Sequence, residues 1–256
     1  MAREQRRLLI APQRLAAAAA GVLALSAEES RYLTRVLRYG PGDGFAVLDG
    51  AGGLWSAELL GPDQARLLQQ LQRDPAPRPQ LVLAAAVVKR DFEVVVRMAV
   101  ELGVDRLLPL LCERTAVQGQ PRPERWRSIA AEAAEQCERL WLPSIEDPLP
   151  VTALLQQYPA SPERLCFWAT TRQQALPDLS AALESEAGTG TGTEAAIAEM
   201  VLACGPEGGW SGAEEEQAAA AGWRPVQLGP RILRSSTACV AALSGLSAWR
   251  ARRHGC

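Results

Sequence analysis

Two short stretches put glycine, proline and charge at the ends of apolar runs. GPEGGWS at 205–211 follows Leu202-Ala203-Cys204, and LGPRILRSST at 228–237 follows a short run from Pro225. Proline fixes its own φ, and glycine reaches backbone conformations closed to other residues. Together they make rigid bends with bare backbone N–H and C=O groups. In α/β proteins such bends bind ligands when they follow the carboxyl ends of strands. Arg231 and Arg234 add fixed charge and planar donors, suited to a phosphate or a carbonyl-bearing base. Glu207 is either an acid in the chemistry or part of the turn. The plainer alternatives are an ordinary strand-to-helix turn and surface ion pairs. Neither GxGxxG after a strand nor GxxxxGK[ST] occurs, so these are not the common phosphate loops.

A third set lies on an expected helix over Glu124–Leu140. Trp126, Ile129, Ala130, Ala133, Cys137 and Leu140 keep helical spacing, and Glu132, Glu135, Gln136 and Arg139 share the opposite face. A solvated, salt-bridged face is the simpler reading. A fourth set is basic: Arg3, Arg6, Arg7, Arg14, Arg31, Arg35 and Arg38 face only Glu4, Glu28 and Glu29 over the first 38 residues. Such a patch suits phosphate-backbone contact without sequence preference. The 27 basic residues include a single lysine, Lys89.

Composition removes several chemistries. The one histidine, His254, stands two residues from the C-terminus, which argues against Ser-His-Asp triads, Cys-His pairs and histidine zinc sites. The six cysteines are scattered with no CxxC, as expected of reduced, mostly buried cytosolic thiols. Net charge is −2, so nucleic-acid binding needs a local patch. The arginines before Leu15–Leu25 imitate a secretory signal, but alanine dominates that run and Pro12 and Arg14 interrupt its approach. No segment is long enough to span a bilayer.

With 256 residues, 48% of them hydrophobic, the chain has room for two cores. The first part reads as β-rich, with strands at Phe45–Leu48 and Leu54–Leu59. It also carries a helix capped by Ser26 and Glu29 that aligns Leu33, Val36 and Leu37. The proline-rich QRDPAPRP (72–79) marks a boundary: residues 1–72, a linker at 73–79, and 80–256. Beyond it, strands at Leu81–Val88, Arg106–Leu111, Leu165–Ala169, Met200–Cys204 and Pro225–Leu228 alternate with helices at Phe92–Leu102, Glu124–Leu140 and from Ser236, where Cys239, Leu243 and Leu246 point inward. Ser211 and Glu214 form a second capping box. The alternation predicts an α/β layer with a mainly parallel sheet. Leu183–Thr193 reads as a flexible surface insertion.

Taken together, GPEGGWS and LGPRILRSSTA resemble the paired ligand loops of the RsmE-type RNA methyltransferases of the SPOUT superfamily, which methylate N3 of a uridine in 16S ribosomal RNA. RRLLI, RYLTRVLRYGPGD and VLDG resemble that family's N-terminal domain. AVELGVDRLLPLLCERT and ERWRSIAAEAAEQCER resemble its central blocks. Ser235-Ser236-Thr237 stands where the family has Thr-Glu-Thr, and Met98 where it has lysine. The resemblance implies a trefoil-knotted α/β methyltransferase domain after a PUA-like RNA-binding β-barrel. It also implies a cytoplasmic homodimer with S-adenosylmethionine (SAM) in the knot, 16S rRNA or the small ribosomal subunit as partner, and neither metal nor membrane. Leu202, Gly205, Pro206, Glu207, Gly208, Gly209, Leu228, Gly229, Ile232, Leu233 and Ser235 would hold the cofactor. Arg234 or Arg231 would stabilise charge on the base, and Glu135 or water would take the proton. Arg7, Arg35, Arg38, Lys89 and Arg139 would hold RNA. Another RNA target, such as a ribose 2′-O, and a non-catalytic RNA-binding assembly protein are the alternatives.

Overall fold

The computed structural model describes residues 6–115, 120–171, 173, 175–188 and 197–254. The chain divides into two units: residues 1–76 with 131–142, and residues 77–130 with 143–256.

The first unit is built on a five-stranded mixed sheet. In chain order its strands are β1 (Arg7–Leu9), β2 (Val22–Ala24), β3 (Gly44–Leu48), β4 (Gly53–Gly61) and β5 (Gln64–Arg73). They lie in the order β1-β3-β4-β5-β2, with β1 parallel to β3 and the other pairs antiparallel. A short helix α1 (Pro12–Ala16) precedes β2, and α2 (Ala27–Arg31) follows it. Ile10, Leu23, Leu33, Phe45, Val47 and Leu59 fill the core.

The expected capping box starts α2: Ser26 Oγ accepts the Glu29 N–H, and Glu29 accepts the Ser26 N–H. The next turn, Tyr32–Val36, is π-helical. Its wider turn breaks the 3.6-residue phase on which the apolar face was read. Leu33 is buried, but Val36 is 63% exposed. Strand β5, QARLLQQLQR, carries no strand signal in its sequence. Only Ala65 of it is buried, so it lacks the alternation that marks a half-buried strand.

The second unit carries a seven-stranded parallel sheet. Its strands are β6 (Gln80–Ala86), β7 (Arg106–Leu111), β8 (Ser144–Ile145), β9 (Leu149–Pro150), β10 (Arg164–Ala169), β11 (Glu199–Cys204) and β12 (Arg224–Val226). The order is β12-β10-β11-β6-β7-β8, with β9 also on β7. The central strands β6 and β11 are almost wholly apolar and buried, as a sheet covered on both faces requires. The helices are α3 (Phe92–Glu101), α4 (Pro123–Gln136, whose residues from Ala131 on belong to the first unit), α5 (Val151–Gln157), α6 (Leu179–Gly188), α7 (Gly212–Ala220) and α8 (Ser235–His254). Cys239, Leu243 and Leu246 of α8 are buried as expected. Among the described residues no helix is long and apolar enough to cross a membrane.

Two element expectations change. Helix α4 ends at Gln136 rather than Leu140, because Glu138 takes a left-handed backbone (φ 63°) and the Arg139 N–H closes back on the Ala134 carbonyl at 3.0 Å. Cys137 is therefore exposed, Arg139 leaves the helical face of Glu132 and Glu135, and Leu140 turns into a separate cluster with Ala46, Leu48 and Leu54. The second is the expected insertion at Leu183–Thr193. Leu183 is buried in α6, which runs to Gly188, and residues 189–193 lie outside the described residues.

Candidate active site

Strands β10, β11 and β12 are neighbours, so the loops at their carboxyl ends meet. They enclose a cavity of about 340 Å³. This is the usual ligand position in a parallel sheet.

The first wall is the loop 205–211. Pro206 C=O accepts the Gly209 N–H at 2.8 Å, and Gly209 takes φ 70°. A Cβ on Gly205 would stand 2.8 Å from the Trp210 ring, so glycine is needed there for close packing. Trp210 Nε1 donates to the Ala169 carbonyl at 2.8 Å, and the ring stacks on Trp168 at 3.9 Å. The tryptophan thus ties this loop to β10. From outside, Arg114 Nη1 donates to the Trp210 carbonyl at 2.8 Å. Ser211 and Glu214 form the expected capping box, and Glu214 also accepts the Glu113 N–H at 2.9 Å.

The second wall is the loop 228–235. Gly229 takes φ 113°, a conformation that favours glycine. Ser235 opens α8, and its Oγ donates to the Gly205 carbonyl at 2.7 Å, joining the two walls. Arg231 and Arg234 are exposed at the cavity, and neither has an ion-pair partner among the described residues. Ile232 is 85% exposed and lines the same loop. The third wall is Ala169 at the end of β10 with Thr170 and Thr171 beyond it, and Glu215 from α7. Thr170 Oγ1 donates to Glu215 Oε1 at 2.8 Å. Cys204 lines the floor; a hydrogen bond with Cys239 and full burial push its thiol well above the ordinary range. It is a neutral surface, not a nucleophile.

Of the residues named from sequence, Gly205, Pro206, Glu207, Gly209, Leu228, Arg231, Ile232, Leu233, Arg234 and Ser235 line this cavity. Leu202 is wholly buried in β11, Gly208 packs on Arg114, and Gly229 shapes its turn; these do not line it. Thr170, Thr171, Trp210, Glu215 and Ala238 also line it and were not foreseen as site residues from the sequence. The capping box that announced α7 could have directed attention to Glu215, which its first turn holds beside β10. Glu135 is in the first unit, half-buried, and accepts the Leu9 N–H at 2.6 Å. Burial raises its carboxyl pKa against the lowering effect of that bond, and Glu132 and Glu29 raise it further.

The basic residues divide. Arg7 pairs with Glu138, and Arg14 with Glu29. Arg139 is half-buried. Arg35, in the π-helical turn, and Arg38, beyond it, are exposed, and Lys89 is exposed after β6. Arg3 lies outside the described residues.

A parallel α/β layer with a glycine-walled cavity at its strand ends, lined by two arginines without ion-pair partners among the described residues, is the kind of site that binds a small charged or polar ligand. Residues 74–247 match the family model of the RNA methyltransferase domain, and residues 25–68 that of the RNA methyltransferase PUA domain. Ribosomal RNA small subunit methyltransferase E of Synechocystis sp. is 40% identical over 94% of this chain and 77% of its own. The protein of that name from Bacillus subtilis is 26% identical over 89% and 90%. The crystal structure of the Neisseria gonorrhoeae protein of that name, bound to S-adenosyl methionine, superposes with a TM-score of 0.79. Its identity is 26%, covering 96% of this chain and 98% of that one. The chain belongs to the ribosomal RNA small subunit methyltransferase E family.

Proposed function

We propose that this protein transfers a methyl group from SAM to N3 of a uridine in 16S ribosomal RNA, acting as a homodimer. The observation that carries the reading is one cavity closed by both glycine-proline loops, with Arg231 and Arg234 at its rim and no ion-pair partner among the described residues. The residues fit the cofactor. Gly205, Pro206 and Gly209 line one side without bulky side chains, leaving room for a ligand to approach the backbone, and Leu228, Ile232 and Leu233 offer apolar surface to an adenine. Bound SAM supplies a methyl group on a positively charged sulfur.

The chain's work is then positioning, since in-line displacement demands that nucleophile, methyl and sulfur share one axis. The Ser235 bond to Gly205 fixes the separation of the two walls. Uridine N3 becomes nucleophilic when its proton leaves, and the charge spreads onto O2 and O4. A guanidinium stabilises that charge, and we assign this to Arg234, or to Arg231, both of which line the cavity. The uridine must be splayed from any stack to present N3. Arg35, Arg38 and Lys89 are exposed cations free to meet phosphates, with Arg7 and Arg139 as further contacts. Residues 1–72 serve as the RNA-binding module, and 80–256, knotted at the C-terminal end, as the methyltransferase.

The test is transfer of a labelled methyl group by the purified protein. We expect small subunits lacking the modification to accept the label, and nucleoside mass spectrometry to place it on uridine N3. Label found on a ribose oxygen, or no transfer by a protein that binds SAM, contradicts the reading.

A further inference from the structure

The cavity holds a carboxylate that the reading above leaves without a task. Glu215 is half-buried in the first turn of α7, and its Oε1 accepts a hydrogen bond from Thr170 Oγ1 at 2.8 Å. Thr170 is itself 7% exposed, with its N–H bonded to the Val226 carbonyl at 3.0 Å, so the donor is fixed on β10. Both residues line the cavity. Glu215 has no ion-pair partner among the described residues. The other carboxylate there, Glu207, is exposed, and the structure gives it no comparable anchor. The arginines that line the cavity among the described residues, Arg231 and Arg234, stand on the opposite loop, 228–235.

A charge half removed from water and held in one direction interacts more strongly with an opposite charge than an exposed one does. With no cation paired to it among the described residues, Glu215 is set to receive one from a ligand. We propose, resting on the SAM-binding reading, that Glu215, oriented by Thr170, recognises a cationic centre of the cofactor, its sulfonium or its α-ammonium group. The site then divides its charges. One wall carries the carboxylate toward the cofactor, and the other carries guanidinium groups toward the developing anion on the base. If the sulfonium is the group recognised, the neutral thioether left after transfer is held less tightly, which favours product release.

The test is calorimetry on the full chain with SAM, S-adenosylhomocysteine and methylthioadenosine. S-Adenosylhomocysteine keeps the ammonium but has a neutral sulfur; methylthioadenosine has neither charge. Glu215→Gln is expected to weaken SAM binding about ten-fold, the scale of one charge-assisted hydrogen bond, and to leave methylthioadenosine unchanged. Equal weakening of S-adenosylhomocysteine assigns the ammonium; its unchanged affinity assigns the sulfonium. Thr170→Val should move SAM binding in the same direction, and Thr170→Ser should restore it, which guards against a poorly folded Glu215 variant. Unchanged affinity for all three ligands, or equal loss for all three, overturns the proposal. Failure of the wild type to bind SAM overturns the underlying reading instead.

Discussion

Ser235 donates a single hydrogen bond, yet it spans the two loops that make the cavity. The hydroxyl is buried, so Ser235→Ala leaves the Gly205 carbonyl short of its partner at a cost of about 1 kcal/mol. We expect a matching loss of stability in urea and about five-fold weaker SAM binding by calorimetry. Arg234 makes a different prediction. Its guanidinium lies at the rim, so Arg234→Ala should lower methyl transfer about 100-fold while SAM affinity holds near wild type. Transfer near the wild-type rate would remove it from the mechanism. Outside the site, Arg14 and Glu29 give a pH signature. Burial raises the Glu29 pKa, but hydrogen bonds from Arg14 and Ser26 outweigh it and leave the group below the ordinary value. The pair's contribution is thus present above the unfolded carboxylate pKa and is lost as pH falls through the folded one. Thermal midpoints of wild type and Arg14→Gln should differ at neutral pH and converge in acid. At this scale the glycines, prolines and arginines were legible in sequence because their types are rare and their backbone needs specific. Thr170 and Glu215 were not, because a threonine and a helical glutamate have no signature until β10 and α7 are adjacent.

At the scale of elements, helix α7 is fastened by more than its own cap. Glu214 accepts the Ser211 N–H at 2.8 Å, as a capping box requires, and the Glu113 N–H at 2.9 Å from the loop after β7. Glu214→Ala strips both and leaves the buried Ser211 N–H without its partner, at a cost of about 2 kcal/mol by chemical denaturation. Because α7 also carries Glu215, the same variant should weaken SAM binding. Both capping boxes were readable, since Ser and Glu three residues apart before an apolar run have a local cause. The end of α4 was not. Its stripe continues to Leu140 in sequence, and only the left-handed Glu138 diverts the chain. Val36 was misread for a related reason, a π-helical turn that periodicity cannot register. Strand order is beyond sequence as well. Alternation announces a parallel sheet, but that β10 lies between β11 and β12, and so brings three loops together, follows from long-range pairing.

At the scale of the whole chain, α8 closes the second unit through Arg250. Its guanidinium donates to Asp105 Oδ2 at 2.5 Å, to the Pro79 carbonyl at 3.2 Å and to the Gly103 carbonyl at 2.9 Å. Both charged side chains are 8% exposed, so removing one strands the other away from water. Arg250→Ala should cost about 3–5 kcal/mol in urea-induced unfolding. SAM binding should fall with it, because α8 begins at Ser235 on the cavity wall. The central claim is the reaction itself. N3 methylation removes the hydrogen-bond donor a uridine uses in pairing, so reverse transcriptase stops there. The most direct measurement is primer extension along 16S rRNA from cells lacking this gene. The account predicts that one stop disappears on deletion, returns with the wild-type gene, and stays largely absent with Arg234→Ala. A stop pattern unchanged by deletion would contradict it.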